Sequence, residues 1–165
     1  MDEPKESLKV GFKLERDADD YPPADWEWLW ASRVTDSTFK IDNIPFFTKS
    51  IGCGDIVAAE QTGTGLIFKR LVRPSGHSTV RVMVFRKGRN DEHLRAAVES
   101  IRQSLRAMGC STELSHIPNL VAIDIPPEVD YQPVSAFLSQ KEHDGLLEYE
   151  EACLASRGGS GTVFS

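Results

Sequence analysis

The chain has 165 residues, 40% of them hydrophobic and 27% charged, with a formal net charge of −6 and a pI near 5.2. That length holds one domain or two small subdomains sharing a core, and that composition excludes disorder over the whole chain. The acidic balance argues against general nucleic-acid binding, which needs Lys and Arg to neutralise phosphates, but it suits a basic protein partner.

The first half reads as β-structure. Leu8 to Leu14 sets Leu8, Val10, Phe12 and Leu14 against Lys9, Gly11 and Lys13, the alternation of a half-buried strand. Glu15 to Asp25 is an acidic loop in which Pro22-Pro23 holds an extended conformation. A strand follows from Trp26 to Val34, with Trp26, Trp28 and Trp30 on one face. Together with Phe46 and Phe47 these rings are most simply core, although an exposed Trp would be an interface anchor. Short strands are predicted at Thr38–Asp42, Ile56–Glu60 and Leu66–Arg73, separated by turns at Asn43-Ile44-Pro45, Gly52 to Asp55 and Gln61 to Gly65. The pattern predicts a small bent sheet or a partly open barrel.

The second half changes period. Ser78 to Arg86 is a strand with Val80, Val82 and Val84 on one face. Asn90 caps a helix that carries Asp91 and Glu92 in its first turn. Its apolar stripe is Leu94, Ala97, Val98, Ile101, Leu105 and Met108, and Gly109 ends it. Strands follow at Cys110–Leu114 and Leu120–Ile125. Helical segments are expected at Val134–Phe137 and Leu146–Ala155, with Gly145 between them. Thr162 to Phe164 is either a last edge strand or a frayed end. This order, β-α-β-β-α with an optional final strand, predicts an α+β chain. A β-rich subdomain (1–75) precedes a ferredoxin-like subdomain (76–165), both in one globular unit, with residues 156–165 as a flexible tail.

No apolar h-region follows the charged N-terminus, and no apolar run is long enough for a membrane-crossing helix, so neither secretion nor a membrane is expected. Cys53, Cys110 and Cys153 are odd in number and widely spaced, which predicts thiols in a reducing cytoplasm rather than disulfides. His77, His93, His116 and His143 show no metal-ligand spacing, so neither a metal nor another cofactor is expected.

Several motifs taken together resemble a known family. Asp42-Asn43-Ile44-Pro45-Phe46-Phe47, Gly54-Asp55-Ile56-Val57, Ser75 to Arg81 and Gly145 to Cys153 are similar to a bacterial family of cytoplasmic proteins described as domain of unknown function 4265. The resemblance runs from about Val10 to Leu154. It implies a shared fold and a bacterial, cytoplasmic origin, and it brings no catalytic residue.

Two clusters carry candidate chemistry. Arg73-Pro74-Ser75-Gly76-His77-Ser78-Thr79-Val80-Arg81 gathers an imidazole, hydroxyls and guanidinium groups. With Asp42 or Asp55 as an orienting carboxylate it suits either an enzyme or an anion or small-ligand site formed by Asp42, Arg73, Ser75, His77 and Arg81. The competing reading is a turn at the junction of the two halves, tied by local hydrogen bonds. No Gly-x-Ser-x-Gly elbow supports catalysis, and no Walker-type loop supports anion recognition. The second cluster is electrostatic. Lys69 to Arg89 is basic and without acids, whereas Glu128, Asp130, Glu142, Asp144, Glu148, Glu150 and Glu151 crowd the C-terminal part. Either the two segments neutralise each other or the acids form a patch that steers a basic partner. The patch reading makes the chain a protein-binding inhibitor, an immunity protein for a basic bacterial toxin or nuclease, with no catalytic residue. A third reading is a regulatory module that pairs across a dimer.

Overall fold

A computed structural model of the chain describes residues 6–155. Its first five strands are β1 (Ser7–Lys13), β2 (Trp26–Arg33), β3 (Thr38–Ile41), β4 (Ile56–Thr62) and β5 (Gly65–Arg73). Neighbours pair antiparallel in chain order, and the bent sheet closes into a barrel because β1 also pairs parallel with β5 at Val10↔Leu66 and Gly11↔Ile67. Two register shifts between β4 and β5 give the extra bend that closure needs. Val10, Phe12, Leu29, Phe39, Ile41 and Val57 fill the interior.

The rings of β2 lie where the sequence did not lead us to expect them. Glu27, Leu29 and Ala31 point inward, while Trp26 and Trp30 are exposed and Trp28 is half-buried. The reason lies in the cross-strand neighbours. Gly11 sits opposite Trp28, and a Cβ at Gly11 would come within 2.7 Å of the indole. The ring therefore covers a bare stretch of β1. Lys9 sits opposite Trp30, with its ammonium 4.6 Å from the ring centroid. The tryptophans pack on the outside of the barrel, and the expectation that they form its core is corrected. Phe46 and Phe47 are likewise only half-buried, outside the barrel core, and Phe47 meets Tyr21 edge-on at 5.9 Å.

The rest of the chain forms β6 (Ser78–Val84), α1 (Asp91–Ala107), β7 (Ser111–Leu114), β8 (Leu120–Ile125), α2 (Tyr131–His143) and β9 (Leu147–Cys153). The sheet order is β7-β8-β6-β9, all antiparallel, which is the ferredoxin-like arrangement. Val80, Val82, Ile123, Ile125 and Leu147 pack with Leu94, Val98 and Leu105 of α1 and with Val134 and Leu138 of α2 in a second core. Asn90 caps α1, its side chain accepting from the His93 N–H at 2.8 Å. Asp130 caps α2 in the same way through the Gln132 N–H, so α2 runs well beyond the short segment read from the sequence.

The stretch expected to be a helix at 146–155 is the strand β9. Leu, Glu and Ala there favour a helix, but propensity is a weak prior against a central strand that needs a partner. Gly145 turns the chain at φ +72°, and Leu147 and Tyr149 then alternate inward against Glu148 and Glu150. The final strand therefore lies at 147–153. Residues 156–165, including Thr162 to Phe164, fall outside the described residues.

Candidate functional site

The face of the second sheet turned away from the helices meets the barrel's connecting segments. Thr79, Arg81 and Met83 alternate with the buried valines of β6 and so project toward this face. Arg81 is only 3% exposed. Its Nε donates to Glu150 at 2.7 Å, across the strand pair that sets Arg81 opposite Glu150. Its Nη1 donates to the carbonyls of Thr48 at 3.0 Å and Pro45 at 3.5 Å. The segment that carries those carbonyls is held in turn, through its N–H groups, by Glu27. Its buried carboxylate accepts from the N–H groups of Phe46, Phe47 and Thr48 and from the Thr48 hydroxyl, at 2.7 to 3.2 Å. A chain of alternating partners thus runs from Glu27 through segment 45–48 to Arg81 and Glu150. A buried guanidinium is tolerable only when its donors are met in this way.

His77 lies at the other end of β6. Its Nδ1 is 2.9 Å from both carboxylate oxygens of Asp124, and an ionised Asp124 fixes the proton on that nitrogen. Burial pushes the Asp124 carboxyl above its ordinary range, and the hydrogen bond from His77 pulls it back. The Ser75 hydroxyl donates to the carbonyl of Cys53 at 2.8 Å and accepts from the His77 N–H. Asp55 accepts from the N–H groups of both Ser75 and Gly52. Gly54, at φ +84°, lies so close that an added Cβ would sit 3.1 Å from that of Ser75. The hydroxyl nearest His77 therefore gives its proton to a carbonyl. The assembly is a clasp between barrel and sheet.

Of the proposed ligand set, only Ser75 and His77 are joined by a hydrogen bond among the described residues. Arg73 is exposed at the end of β5 and makes no ion pair among the described residues. Asp42 is exposed on the barrel and accepts from the Ser32 hydroxyl at 2.5 Å. Arg81 belongs to the Glu150 network, and only Ser75 and His77 share the clasp. All three cysteines are free, and burial first of all raises each thiol to about 11, which keeps them protonated and unreactive at neutral pH. Among the described residues no group of three His, Cys, Asp or Glu gathers as metal ligands, and no helix is long and apolar enough to cross a membrane.

The acidic residues have a different outcome. Three clefts adjoin one another around β9. One, of about 520 Å³, is lined by five carboxylates: Asp17 and Asp19 from the loop between β1 and β2, Glu142 at the end of α2, and Glu148 and Glu150 on β9. Tyr21 and Tyr149 flank them, and the one cation lining this cleft is Arg81, already paired. A second groove of about 680 Å³ runs beside β9, past Glu142, Glu150, Glu151, Lys49 and Ser50. A third, of about 670 Å³, opens on the barrel side and contains Phe12, Phe68, Tyr21 and Phe47. His77 lines none of the three.

The acids expected to form one patch therefore divide. Glu142, Glu148, Glu150 and Glu151 reach the clefts. Glu151 also accepts from the Tyr131 hydroxyl at 2.6 Å, and burial first, then this bond, raises the tyrosine pKa. Asp130 caps α2, Asp144 accepts from Gln140, and Glu128 is exposed in the turn before α2. Of the basic stretch Lys69–Arg89, Arg81 pairs with Glu150, Lys69 with Glu60 and Arg86 with Asp91. Apart from the His77–Asp124 contact, Arg81–Glu150 is the only ion pair joining that stretch to the C-terminal acids among the described residues, so these acids are not cancelled. Asp17 and Asp19 were missed by the sequence reading. Their loop was visibly acidic, but only its folding toward β9, with Tyr21 against Phe47, carries them to the cleft.

Residues 27–149 match the family model described as "Domain of unknown function (DUF4265)", and the chain belongs to that family. No curated protein matches it. It is similar to the crystal structure of a hypothetical protein from Neisseria gonorrhoeae, at 25% identity and a TM-score of 0.68, over 95% of this chain and 100% of that one.

Proposed function

We propose that this DUF4265 chain is a protein-binding inhibitor of the immunity type, which takes a basic surface of a toxin or nuclease into the acid-lined cleft beside β9. The observation that carries this reading is the convergence of Asp17, Asp19, Glu142, Glu148 and Glu150 on one cleft whose single cation is already neutralised. Like charges gathered on a surface strain the free chain but raise the encounter rate and complementarity with a cationic partner. Tyr21 and Tyr149 add amphipathic contact area of the kind that anchors interfaces.

Calorimetric titration with the product of the adjacent gene tests the reading. Binding should weaken steeply with ionic strength. The triple variant Asp17→Asn, Asp19→Asn, Glu148→Gln should lose at least about tenfold in affinity, on the order of 1.4 kcal/mol, with a shallower salt dependence. Unchanged affinity in that variant would remove the cleft as the binding site.

A further inference from the structure

The edge of β9 offers a more specific mode of recognition, which rests on the cleft reading above. Among the described residues β9 pairs only with β6 and so forms one edge of the second sheet. An edge strand presents unpaired backbone groups to whatever lies alongside. Two of those groups on β9 are met by groups that belong to no strand. The Tyr149 N–H donates to the Glu142 carboxylate at 3.2 Å, a long bond to an exposed side chain. The Ala152 carbonyl accepts from the Ser50 N–H at 3.0 Å. Between them runs the groove of about 680 Å³. Its β9 side is formed by four residues, Tyr149, Glu150, Glu151 and Ala152, roughly 14 Å of strand.

The charges on β9 decide what fits there. Glu148, Glu150 and Glu151 lie within four positions. Pairing two copies of β9 edge to edge would bring these carboxylates together, and like charges across a strand pair destabilise it. A basic strand meets the opposite situation. Glu148 and Glu150 stand opposite Met83 and Arg81 and share the face that lines the acidic cleft. Residues of an incoming strand beside them, two positions apart, would be cross-strand neighbours of both carboxylates. As the new strand forms, a backbone carbonyl replaces the Glu142 carboxylate at the Tyr149 N–H, and that carboxylate becomes available to a cation.

We infer that the partner inserts a short extended segment with basic residues at alternate positions, which adds as a fifth strand to the β9 edge. The main-chain bonds would give affinity, and the alternating carboxylates would give register and selectivity.

The probe is the peptide acetyl-Thr-Lys-Thr-Lys-Thr-Lys-Thr-amide, titrated into the full ¹⁵N-labelled chain. Two further peptides of the same sequence carry N-methyl groups on alternate backbone nitrogens, one on the lysines and one on the threonines. Charge is the same in all three, but a strand bonds its neighbour through only one of the two alternating sets of nitrogens. The parent peptide should shift and protect the amides of Tyr149 and Glu151. One methylated peptide should lose about tenfold or more in affinity while the other binds like the parent. Glu148→Lys, at an exposed position, should weaken the parent peptide about tenfold with unchanged melting temperature. Equal binding of all three peptides would overturn strand addition and leave an electrostatic cleft standing. Failure of the parent to bind, while the adjacent gene product binds through the acids, would also overturn it without touching the cleft reading.

Discussion

The His77 clasp and the Glu150-centred cleft lie on the same face of one sheet, and both are rich in charge and hydrogen-bonding groups. They differ in where those groups are spent. In the clasp, Asp124 holds His77, Asp55 holds Ser75 and Gly52, and the Ser75 hydroxyl holds Cys53. In the cleft, Glu148 and Asp19 have no side-chain hydrogen bond or ion pair among the described residues, and Glu142 has only the long bond to Tyr149. A dense cluster of reactive groups thus marks a structural joint when its members satisfy each other. In the cleft, by contrast, carboxylates from separate elements converge and two of the five, Asp19 and Glu148, are left without a side-chain partner among the described residues, while Asp17 accepts only from N–H groups of its own loop.

Substitutions at the two places should separate stability from binding. The largest stability effect is expected at Arg81, which ties Glu150 of β9 to segment 45–48. Arg81→Ala leaves the Pro45 and Thr48 carbonyls without this donor and empties the space of a buried side chain, while the half-exposed Glu150 turns to solvent, and it should cost about 3 kcal/mol in urea unfolding. Glu27→Ala removes the acceptor of four bonds to segment 46–48 and should cost roughly 2–3 kcal/mol, read the same way. At the clasp the effect depends on pH. The folded Asp124 carboxyl titrates above its ordinary value of 3.8, so between that value and the raised one the folded chain binds more protons than the unfolded chain. The stability contributed by Asp124 is therefore lost as pH rises through that window. Asp124→Asn should remove that slope from the pH dependence of unfolding. It should also bring Glu113, which burial and then Asp124 raise, back toward its normal range in an NMR titration. In the cleft, Asp17→Asn, Asp19→Asn and Glu148→Gln should each change stability by no more than about 0.5 kcal/mol while weakening partner binding. Arg73→Ala should be smallest of all, leaving melting temperature and partner affinity unchanged.

The sequence carried the architecture further than the site. Period-two alternation located β1, and the run Leu120 to Ile125 located β8, because each is set by the face it buries. Asn90 and Gly109 marked α1 through local capping chemistry. What failed depended on distant partners. β9 has a helix-favouring composition and becomes a strand because β6 needs a second neighbour. Trp26 and Trp30 look like core residues, yet lie outside, where Trp30 packs with Lys9 across the strand pair and Trp26 against Trp28, while Glu27, Leu29 and Ala31 take the inward positions. The Ser75–His77 turn was legible as a junction, although Asp124, 47 residues away, was not visible as the imidazole's partner. Among the acids, local sequence density could not distinguish Asp130, a helix cap, from Glu148, an open cleft residue, and gave no place to Asp17 and Asp19.

The most direct test of the account is a ¹⁵N NMR titration of the full chain with the adjacent gene product. It should show shifts concentrated at Asp17, Asp19, Glu142 and Glu148 to Glu151, with His77, Ser75 and Asp124 undisturbed. Shifts centred on Ser75 to His77, or on the outer face formed by Trp26 and Trp30, would contradict it.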